Sequence, residues 1–475
     1  MDVFSDYMMT IGGQGVAGAA QFDVVNPATE QRIAKAPDCS REQLDEAVAA
    51  AKAAFPGWAA TPMDERRNYI LKLSQAMQDH APDLIRLLTM EQGKPHPDAE
   101  QELMGAALLL QAQTTLELPE LKAEDTDEHT VETHYVPIGV VGAIAPWNFP
   151  IVLAIFKIGP GLLAGNTMVV KPSPFTPLTT LKIGEIARDI LPPGVLNIIS
   201  GGDELGPWMT SHPGFDKISF TGSSQTGKRV MESASKTLKR VTLELGGNDA
   251  AIVLPDVDVE KVAEQLFWSA FGNNGQICIA TKRMYIHKDI YEPLVAAIAA
   301  YGRTVQIGDG SQQGTQLGPI NNRAQYERVL DLIADAKAKG YTFLLGGETA
   351  QTPGYFVPVT LIDNPPEDSR IVREEQFGPV LPLIRFDDID DVIAKANDSD
   401  YGLAGSVWSA DETKAVEIAR RLATGTVFVN QIQYLSPFAP FGGHKQSGLG
   451  VEGGVDGLME YTNPQTIVRA KASVG

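Results

Sequence analysis

Short apolar runs alternate with amphipathic stretches through the middle of the chain. The pattern predicts strands at residues 140–145, 168–171, 195–199, 217–220 and 241–245. Between them it predicts helices at residues 149–163, 179–190 and 226–235, with a further one after Gly202. Strands that alternate with helices of this length form a parallel sheet covered on both faces. The segment therefore has the pattern of a Rossmann-like α/β domain.

The flanking regions extend this picture. Apolar spacing and alanine content predict earlier helices at residues 41–55, 63–80, 83–91 and 99–116. A second α/β unit is predicted over residues 248–445, with strands at 282–286, 380–386 and 426–429. Between the early helices and the first sheet, residues 119–130 are polar and 131–136 are extended, which fits a surface hairpin.

Residues 138–170 are strongly apolar, with Lys157 as their single charge. Pro146, Pro150 and Pro160 divide the stretch into pieces shorter than the ~20 helical residues that a bilayer requires. We therefore interpret it as strand, turn, helix and strand, with Pro150 in the first turn of the helix.

Composition narrows the class of protein. The 475 residues are 43% hydrophobic and 21% charged, which is typical of a large globular enzyme with more than one domain. A formal net charge of −20 argues against nucleic acid or an anionic membrane as partner. The first 21 residues lack the basic start and apolar core of a signal peptide, so we expect a cytoplasmic protein. No metal site is predicted.

One of the two cysteines lies in an unusual setting. Cys278 follows the run Gly272-Asn273-Asn274-Gly275-Gln276-Ile277, where glycine lets backbone N–H groups approach the thiol. Such groups stabilise a thiolate and an oxyanion, although a lone cysteine is more often an inert apolar residue. Pairing with Cys39 is the other possibility, and a catalytic thiol requires a reducing compartment instead.

A single carboxylate interrupts an otherwise apolar strand at Glu244, just before Gly246 and Gly247. Burial without a partner raises the pKa of a carboxyl group, which is the condition that a general base near neutrality requires. Neither Glu244 nor Cys278 is decisive alone, and together they form a specific pair.

Seven short segments in order along the chain resemble the aldehyde dehydrogenase superfamily. They are PWNFP (146–150), KPS (171–173), FTGS (220–223), LELGG (243–247), GQIC (275–278), EEQFGP (374–379) and PFGG (440–443). The resemblance covers nearly the whole chain. It implies a dinucleotide-binding domain (1–118 and 138–247), a catalytic domain (248–445) and a small β oligomerisation element (119–137 and 446–475) of a homodimer or homotetramer.

The resemblance also implies a mechanism. Cys278 attacks an aldehyde, Asn148 and the Cys278 N–H stabilise the oxyanion, hydride leaves for the cofactor, and Glu244 activates the water that hydrolyses the thioester. It places Trp147, Lys171 and Ser223 near the adenosine or phosphate half of the dinucleotide, and Glu375 and Phe377 at the nicotinamide half. The remaining implied cofactor residues are Ala145, Pro146, Ser173, Gly202, Gly206, Phe220, Thr221, Gly222, Leu245 and Gly246.

The choice of cofactor is less fixed by the sequence. No G-x-G-x-x-G follows a strand in the first domain, although Gly222 and Ser223 give a strand, a turn and a helix start. Pro174 stands where many family members carry a glutamate for the adenine ribose, which makes the 2′-phosphate of NADP more tolerable. Asp203 near the same pocket would oppose it. We expect NAD, with NADP as an alternative.

The positions that match the family's substrate tunnel are nearly all apolar. They are Phe149, Leu153, Phe156, Ile277, Ile279, Leu435 and Phe441. Such a lining predicts an aliphatic or aromatic aldehyde, because a charged group would lose hydration there without a partner. The alternatives are a semialdehyde dehydrogenase, a CoA-acylating dehydrogenase, a thiol esterase without redox chemistry, and a binding protein that retains the fold.

Overall fold

The computed structural model describes residues 4–348, 352–431 and 433–471. As far as residue 247 its elements are β1 (Met9–Ile11), β2 (Gln14–Val16), β3 (Ala20–Val25), β4 (Arg32–Asp38), α1 (Arg41–Ala60), α2 (Met63–Asp79), α3 (Ala81–Gln92), α4 (His96–Gln113), β5 (Leu121–Asp125), β6 (His129–Pro137), β7 (Val140–Ile144), α5 (Pro150–Leu163), β8 (Thr167–Lys171), α6 (Leu178–Arg188), β9 (Leu196–Ile198), α7 (Leu205–Ser211), β10 (Lys217–Thr221), α8 (Ser224–Ser235) and β11 (Arg240–Glu244).

The later elements are β12 (Asp249–Val253), α9 (Val259–Phe271), a 3₁₀ turn (Gly272–Gly275), β13 (Thr281–His287), α10 (Tyr291–Gly302), α11 (Arg323–Ala338), β14 (Thr342–Leu345), β15 (Thr360–Asp363), α12 (Arg370–Arg373), β16 (Val380–Phe386), α13 (Ile389–Asn397), β17 (Tyr401–Gly402), β18 (Ala404–Trp408), α14 (Glu412–Ala419), β19 (Thr426–Val429), β20 (His444–Lys445), β21 (Gly448–Leu449), α15 (Gly454–Met459) and β22 (Thr462–Ala470).

The first sheet has the strand order β2-β1-β9-β8-β7-β10-β11-β21. Its five central strands, which are β9, β8, β7, β10 and β11, are parallel to one another. The strands β1, β2 and β21 at the two edges pair in the antiparallel direction. Every residue of β7 and β8 is buried, as expected for strands covered by helices on both faces. The chain leaves β7 toward β8 and later returns to its other side with β10. Parallel sheets bind ligands at the carboxyl ends of strands at such a switch point.

The second sheet has the order β14-β15-β16-β13-β12-β18-β19 and is parallel except for the edge strand β14. It also has a switch point, because β13 and β18 flank β12. The predicted α/β fold with two parallel sheets is confirmed. Among the described residues, no helix is both long and apolar enough to cross a membrane.

A third, antiparallel sheet has the order β22-β6-β5. The hairpin predicted over residues 119–136 is present, and β22 pairs with β6 along nine residues, from Thr462 opposite Pro137 to Ala470 opposite His129. This small sheet joins the last described strand of the chain to the segment that precedes β7.

Two boundaries differ from the prediction. Helix α1 continues through Pro56 to Ala60, because the buried Trp58 anchors its last turn by donating a hydrogen bond to the Leu162 carbonyl at 3.1 Å. The segment that follows residue 445, predicted as part of the oligomerisation element, first returns to the first sheet. There β21 pairs with β11, so only β22 joins the small sheet.

Candidate functional site

The ends of strands from the two sheets come together at the candidate site. Strand β11 ends at Glu244, and β12 of the second sheet begins only five residues later at Asp249. Cys278 lies three residues before β13, which pairs in parallel with β12. The carboxyl ends of the first sheet therefore face the amino ends of the second. This arrangement brings Glu244 close enough to Cys278 for its charge to act on the thiol, although 33 residues separate them in sequence.

The turn that carries Cys278 has an unusual backbone. Asn273, Asn274 and Gly275 have φ angles of 47°, 59° and 74°, in the left-handed region. A Cβ on Gly275 would lie 2.3 Å from the Gly378 carbonyl oxygen, so only glycine fits there. The turn thus packs directly against the loop that precedes β16.

Two N–H donors lie at this turn. The Cys278 N–H has no hydrogen-bond partner among the described residues. The Asn148 side chain is buried, and its Nδ2 donates to the Gln276 carbonyl at 2.9 Å, which leaves its second amide proton available. The Asn148 carbonyl in turn accepts from Lys94 Nζ at 3.0 Å and from Asn273 Nδ2 at 3.1 Å.

Glu244 is a buried carboxylate without a hydrogen bond. It is 4% exposed, and neither carboxyl oxygen has a partner in the described structure. Burial raises its pKa well above the usual value, the charge of Glu452 raises it further, and Lys157 opposes both. Its charge also reaches the Cys278 thiol, whose pKa it raises. An unpartnered buried carboxyl is the group that binds and deprotonates a water molecule well.

Lys157 is a functional residue that the sequence does not predict, although it is the only charge in the apolar stretch 138–170. Its ammonium is fully buried on α5, lies 2.5 Å from Glu452 Oε1 and donates to Thr221 Oγ1 at 2.7 Å. Glu452 comes from the segment between β21 and α15, which no local pattern relates to α5. A buried charge in an apolar helix is the signal that points to such a pair.

Burial also affects the pKa of the Cys278 thiol. It raises the pKa of Cys278 to about 12, and Lys282 opposes this shift, whereas Asp249, Glu244 and Glu375 add to it. Both described cysteines are free, so the alternative disulfide is absent from the structure. The acids lie on three different segments, which sequence spacing does not bring together.

The residues predicted to hold a dinucleotide, here called the crevice residues, follow strands at the switch point of the first sheet. Ala145, Pro146 and Trp147 follow β7, while Thr221, Gly222 and Ser223 complete β10 and begin α8. Ser223 is the N-cap of α8, with its Oγ accepting from the Thr226 N–H at 3.3 Å. Helix N-termini of this kind bind phosphate groups.

The remaining predicted residues of the adenosine side lie around Lys171. Burial lowers the pKa of this lysine to about 8, and the charges of Asp203 and Asp38 oppose the shift. The Gly202 N–H donates to Asp38 Oδ1 at 3.2 Å, and the Cβ positions of both Gly202 and Gly206 are open. Ser173 is buried two residues beyond Lys171. A lysine ammonium, open space beside two glycines and backbone N–H groups are suited to binding a ribose and a phosphate.

The residues predicted for the nicotinamide side lie on the loop that carries Glu375. Glu375 Oε1 accepts from the Gly247 N–H at 3.1 Å, and a Cβ on Gly246 would lie 2.3 Å from Glu375 Oε2. Phe377, with φ 49°, packs edge to face against Trp147 with ring centroids 5.3 Å apart. Leu245 and Phe220 are buried beneath this part of the crevice.

The predicted apolar pocket is assembled only in part. Phe149, Ile277, Ile279, Leu435 and Phe441 form one apolar cluster with Cys278. Leu153 and Phe156 on α5 also pack against the core of the first domain, as Leu435 does, and of the three only Phe156 is buried, at 7% exposed. Helix α5 is buried on nearly every side, and this explains why the apolar pattern did not separate pocket from core.

Known proteins have a similar architecture and a related sequence. A model of the aldehyde dehydrogenase family matches residues 16–467. The chain belongs to the aldehyde dehydrogenase family. The aldehyde dehydrogenase LUC3 of Fusarium sp. is 38% identical over 98% of this chain and 99% of its own length. The predicted family, fold and enzyme class, an NAD(P)-dependent aldehyde dehydrogenase, are confirmed.

Solved structures agree. The NAD+ complex of an aldehyde dehydrogenase from Bacillus cereus is 35% identical, covers 98% of this chain and 97% of its own, and superposes with a TM-score of 0.94. An NADP dependent enzyme of E. coli is 34% identical over 99% of both chains, with a TM-score of 0.95.

Proposed function

We propose that this aldehyde dehydrogenase oxidises an apolar aldehyde to its carboxylic acid with Cys278 as nucleophile and Glu244 as general base. The observation that carries the proposal is the unpartnered, buried Glu244 carboxyl beside a cysteine whose own N–H is unpartnered. A CoA-acylating enzyme has no use for a water-activating base at this position.

The Cys278 thiolate attacks the aldehyde carbon and forms a thiohemiacetal. The developing oxyanion accepts hydrogen bonds from the Cys278 N–H and from the second amide proton of Asn148. Asn148 is suited to this task because the Gln276 carbonyl fixes one end of its amide. Its carbonyl is held by Lys94 and Asn273, so the whole residue is preorganised.

Glu244 completes the reaction. It takes a proton from a water molecule, and the resulting hydroxide attacks the thioester carbon and releases the acid from Cys278. Its raised pKa makes it a stronger base than a solvated glutamate. The charge of Glu452 disfavours the ionised form of Glu244 and so raises its pKa, whereas Lys157 favours the ionised form.

The crevice residues fit a dinucleotide, which when bound would accept the hydride that the thiohemiacetal must lose to become the thioester. Lys171, the α8 N-terminus and the Glu375 carboxylate would hold its ribose and phosphate groups, and the Trp147–Phe377 pair would bound the ring. We expect NAD to be preferred over NADP, because Asp203 and Asp38 place negative charge at Lys171, where a 2′-phosphate would be repelled.

The apolar cluster around Cys278 supports the substrate class. The Lys94 ammonium packs over the Phe149 ring of this cluster, but it is already paired with Glu102 and donates to the Asn148 carbonyl, so it is not free to anchor a semialdehyde carboxylate. A charged substrate would lose hydration in this cluster without gaining a partner. We therefore expect aliphatic or aromatic aldehydes to be oxidised faster than succinate semialdehyde or betaine aldehyde.

The β22-β6-β5 sheet is proposed as the contact of a homodimer or homotetramer. Ile467, Val468 and Leu121 are exposed on it, and within the described chain β22 is paired on one side only. An open strand edge with exposed apolar residues favours pairing with another chain. Light scattering should give two or four times the monomer mass, and Val468→Lys should lower it.

The decisive test follows the absorbance of reduced nicotinamide with benzaldehyde or hexanal, NAD or NADP, and no CoA. Wild type and Glu260→Gln, which alters an exposed glutamate on α9, should turn over steadily. Cys278→Ala should be inactive, and Glu244→Gln should give at most one burst. Absence of reduced cofactor with every aldehyde would refute the proposal and favour ester hydrolysis, and turnover that requires CoA would favour the acylating reaction.

A further inference from the structure

Lys282 is a buried lysine immediately behind the nucleophile's turn. It is the second residue of β13 and is 3% exposed. Its ammonium donates to the carbonyl oxygens of Ile277 at 2.8 Å, Cys278 at 2.7 Å and Ala280 at 3.1 Å. An ammonium has three N–H donors, so all of them are used by this one turn.

These bonds fix the direction of the Cys278 N–H. The Ile277 carbonyl and the Cys278 N–H belong to one trans peptide unit, in which they point in opposite directions. A lysine that holds the carbonyl on one side therefore directs the N–H to the other side, away from β13. A hydrogen bond to the carbonyl also polarises the same peptide unit and strengthens its N–H as a donor.

The lysine also supplies charge. Among the charges that act most strongly on the Cys278 thiol, Lys282 lowers its pKa, whereas Asp249, Glu244 and Glu375 raise it. Lys282 also opposes the rise that burial causes in the pKa values of Asp249 and Glu375. Its ammonium therefore offsets part of the negative charge that the thiol faces.

We propose that Lys282 is a positioning residue of the active site, which aims the Cys278 N–H at the substrate oxyanion and holds a positive charge behind the thiolate. The oxyanion part rests on the proposed function. The thiolate part concerns the reactivity of Cys278 alone and is tested without substrate or cofactor.

The test is the rate of alkylation of Cys278 by iodoacetamide as a function of pH, with mass spectrometry locating the label. Cys278→Ala reports any reaction of the buried Cys39. In Lys282→Met the inflection of the alkylation rate against pH should move up by at least one pH unit. At a pH below the inflections of both wild type and variant, alkylation of the variant should then be at least about tenfold slower. Lys282→Arg, which keeps the charge, should stay closer to wild type.

Lys239→Met is the matched control. Lys239 is also a buried lysine that donates to two backbone carbonyls, those of Thr210 and His212, but it lies at the start of β11 away from the thiol. Its loss should lower stability and leave the alkylation profile unchanged. A folded Lys282→Met with the wild-type profile would overturn the proposal. If circular dichroism shows that this variant is unfolded, Lys282→Gln is judged by the same criterion.

Steady-state kinetics test the oxyanion part. A donor that acts only in the transition state changes kcat more than KM, so Lys282→Met should lower kcat at least tenfold with KM within about threefold. Rates are expressed per amount of folded protein, which corrects them for any fraction of the variant that is unfolded. A wild type that oxidises no aldehyde would refute the proposed function, while the alkylation comparison would still decide the role of Lys282.

Discussion

A second buried ion pair holds the segment that carries Asn148, and its removal has a calculable cost. Lys94 Nζ lies 2.5 Å from Glu102 Oε2, and both side chains are fully buried. Lys94 also donates to the Asn148 carbonyl. Glu102 Oε1 accepts from the N–H groups of Ile151 at 2.9 Å and Val152 at 3.3 Å, at the start of α5.

Removal of one partner leaves the other charge buried, which costs about 3–5 kcal/mol. Lys94→Met should therefore destabilise by that amount. Glu102→Leu should cost roughly 1–3 kcal/mol more, because the first N–H groups of α5 lose their acceptor as well. In the double variant no charge remains unpaired, so its cost should fall below the sum of the single costs by roughly 1–3 kcal/mol.

The assay is urea unfolding followed by tryptophan fluorescence at one protein concentration, together with kcat for each variant. Lys72→Met, an exposed lysine on α2, is the control and should change stability by less than about 0.5 kcal/mol. The reasoning is refuted if Lys94→Met costs less than about 1 kcal/mol or if the single costs add in the double variant.

Three further outcomes follow from the site. Because burial raises the pKa of Glu244, the basic form grows as pH rises above the usual carboxyl range, so kcat should rise with pH and Glu244→Gln should lose that rise. Burial raises the pKa of Asp249 from 3.8 to about 7, so the folded state holds a proton that the unfolded state releases, and its contribution to stability falls as pH rises through this window. Unfolding at pH 5 and pH 8 should show that Asp249→Asn reduces this loss, and equal slopes would contradict it. Gly275→Ala should lower kcat at least tenfold because its Cβ meets the Gly378 carbonyl, whereas Gly314→Ala, with φ 89° and open space, should leave kcat unchanged.

Much of the fold follows from periodicity. Residues 138–247 alternate between apolar strands and helices, and every predicted strand there is present within one or two residues. Cys278 and Glu244 could be singled out because glycine-rich turns and a lone carboxylate depart from the apolar pattern around them. Sequence reasoning succeeds where the local environment alone dictates the residue type.

It fails where a partner comes from far along the chain. Glu452 pairs with Lys157 across 295 positions, and β21 joins the first sheet beside β11. Lys282 is missed for a different reason. Its three carbonyl partners lie only two to five residues before it, but no sequence pattern shows that the turn will fold these carbonyls around its ammonium. Helix α1 passes Pro56 because Trp58 is anchored to α5, a tertiary contact that propensity does not include.

The buried acids near the Cys278 thiol titrate together with their charged neighbours. Burial raises the pKa values of Glu244, Asp249 and Glu375; the charge of Glu375 also acts on Asp249, and that of Glu452 on Glu244. With raised pKa values these acids carry fewer negative charges near neutrality than three carboxyls would in water, which reduces the repulsion on a Cys278 thiolate. An inflection in a rate profile is shared between interacting groups, and the loss of the rise in Glu244→Gln tests whether Glu244 is one of them. Replacement of Asp249 by asparagine should consequently shift the apparent pKa of Cys278 alkylation downward, in the direction opposite to replacement of Lys282 by methionine.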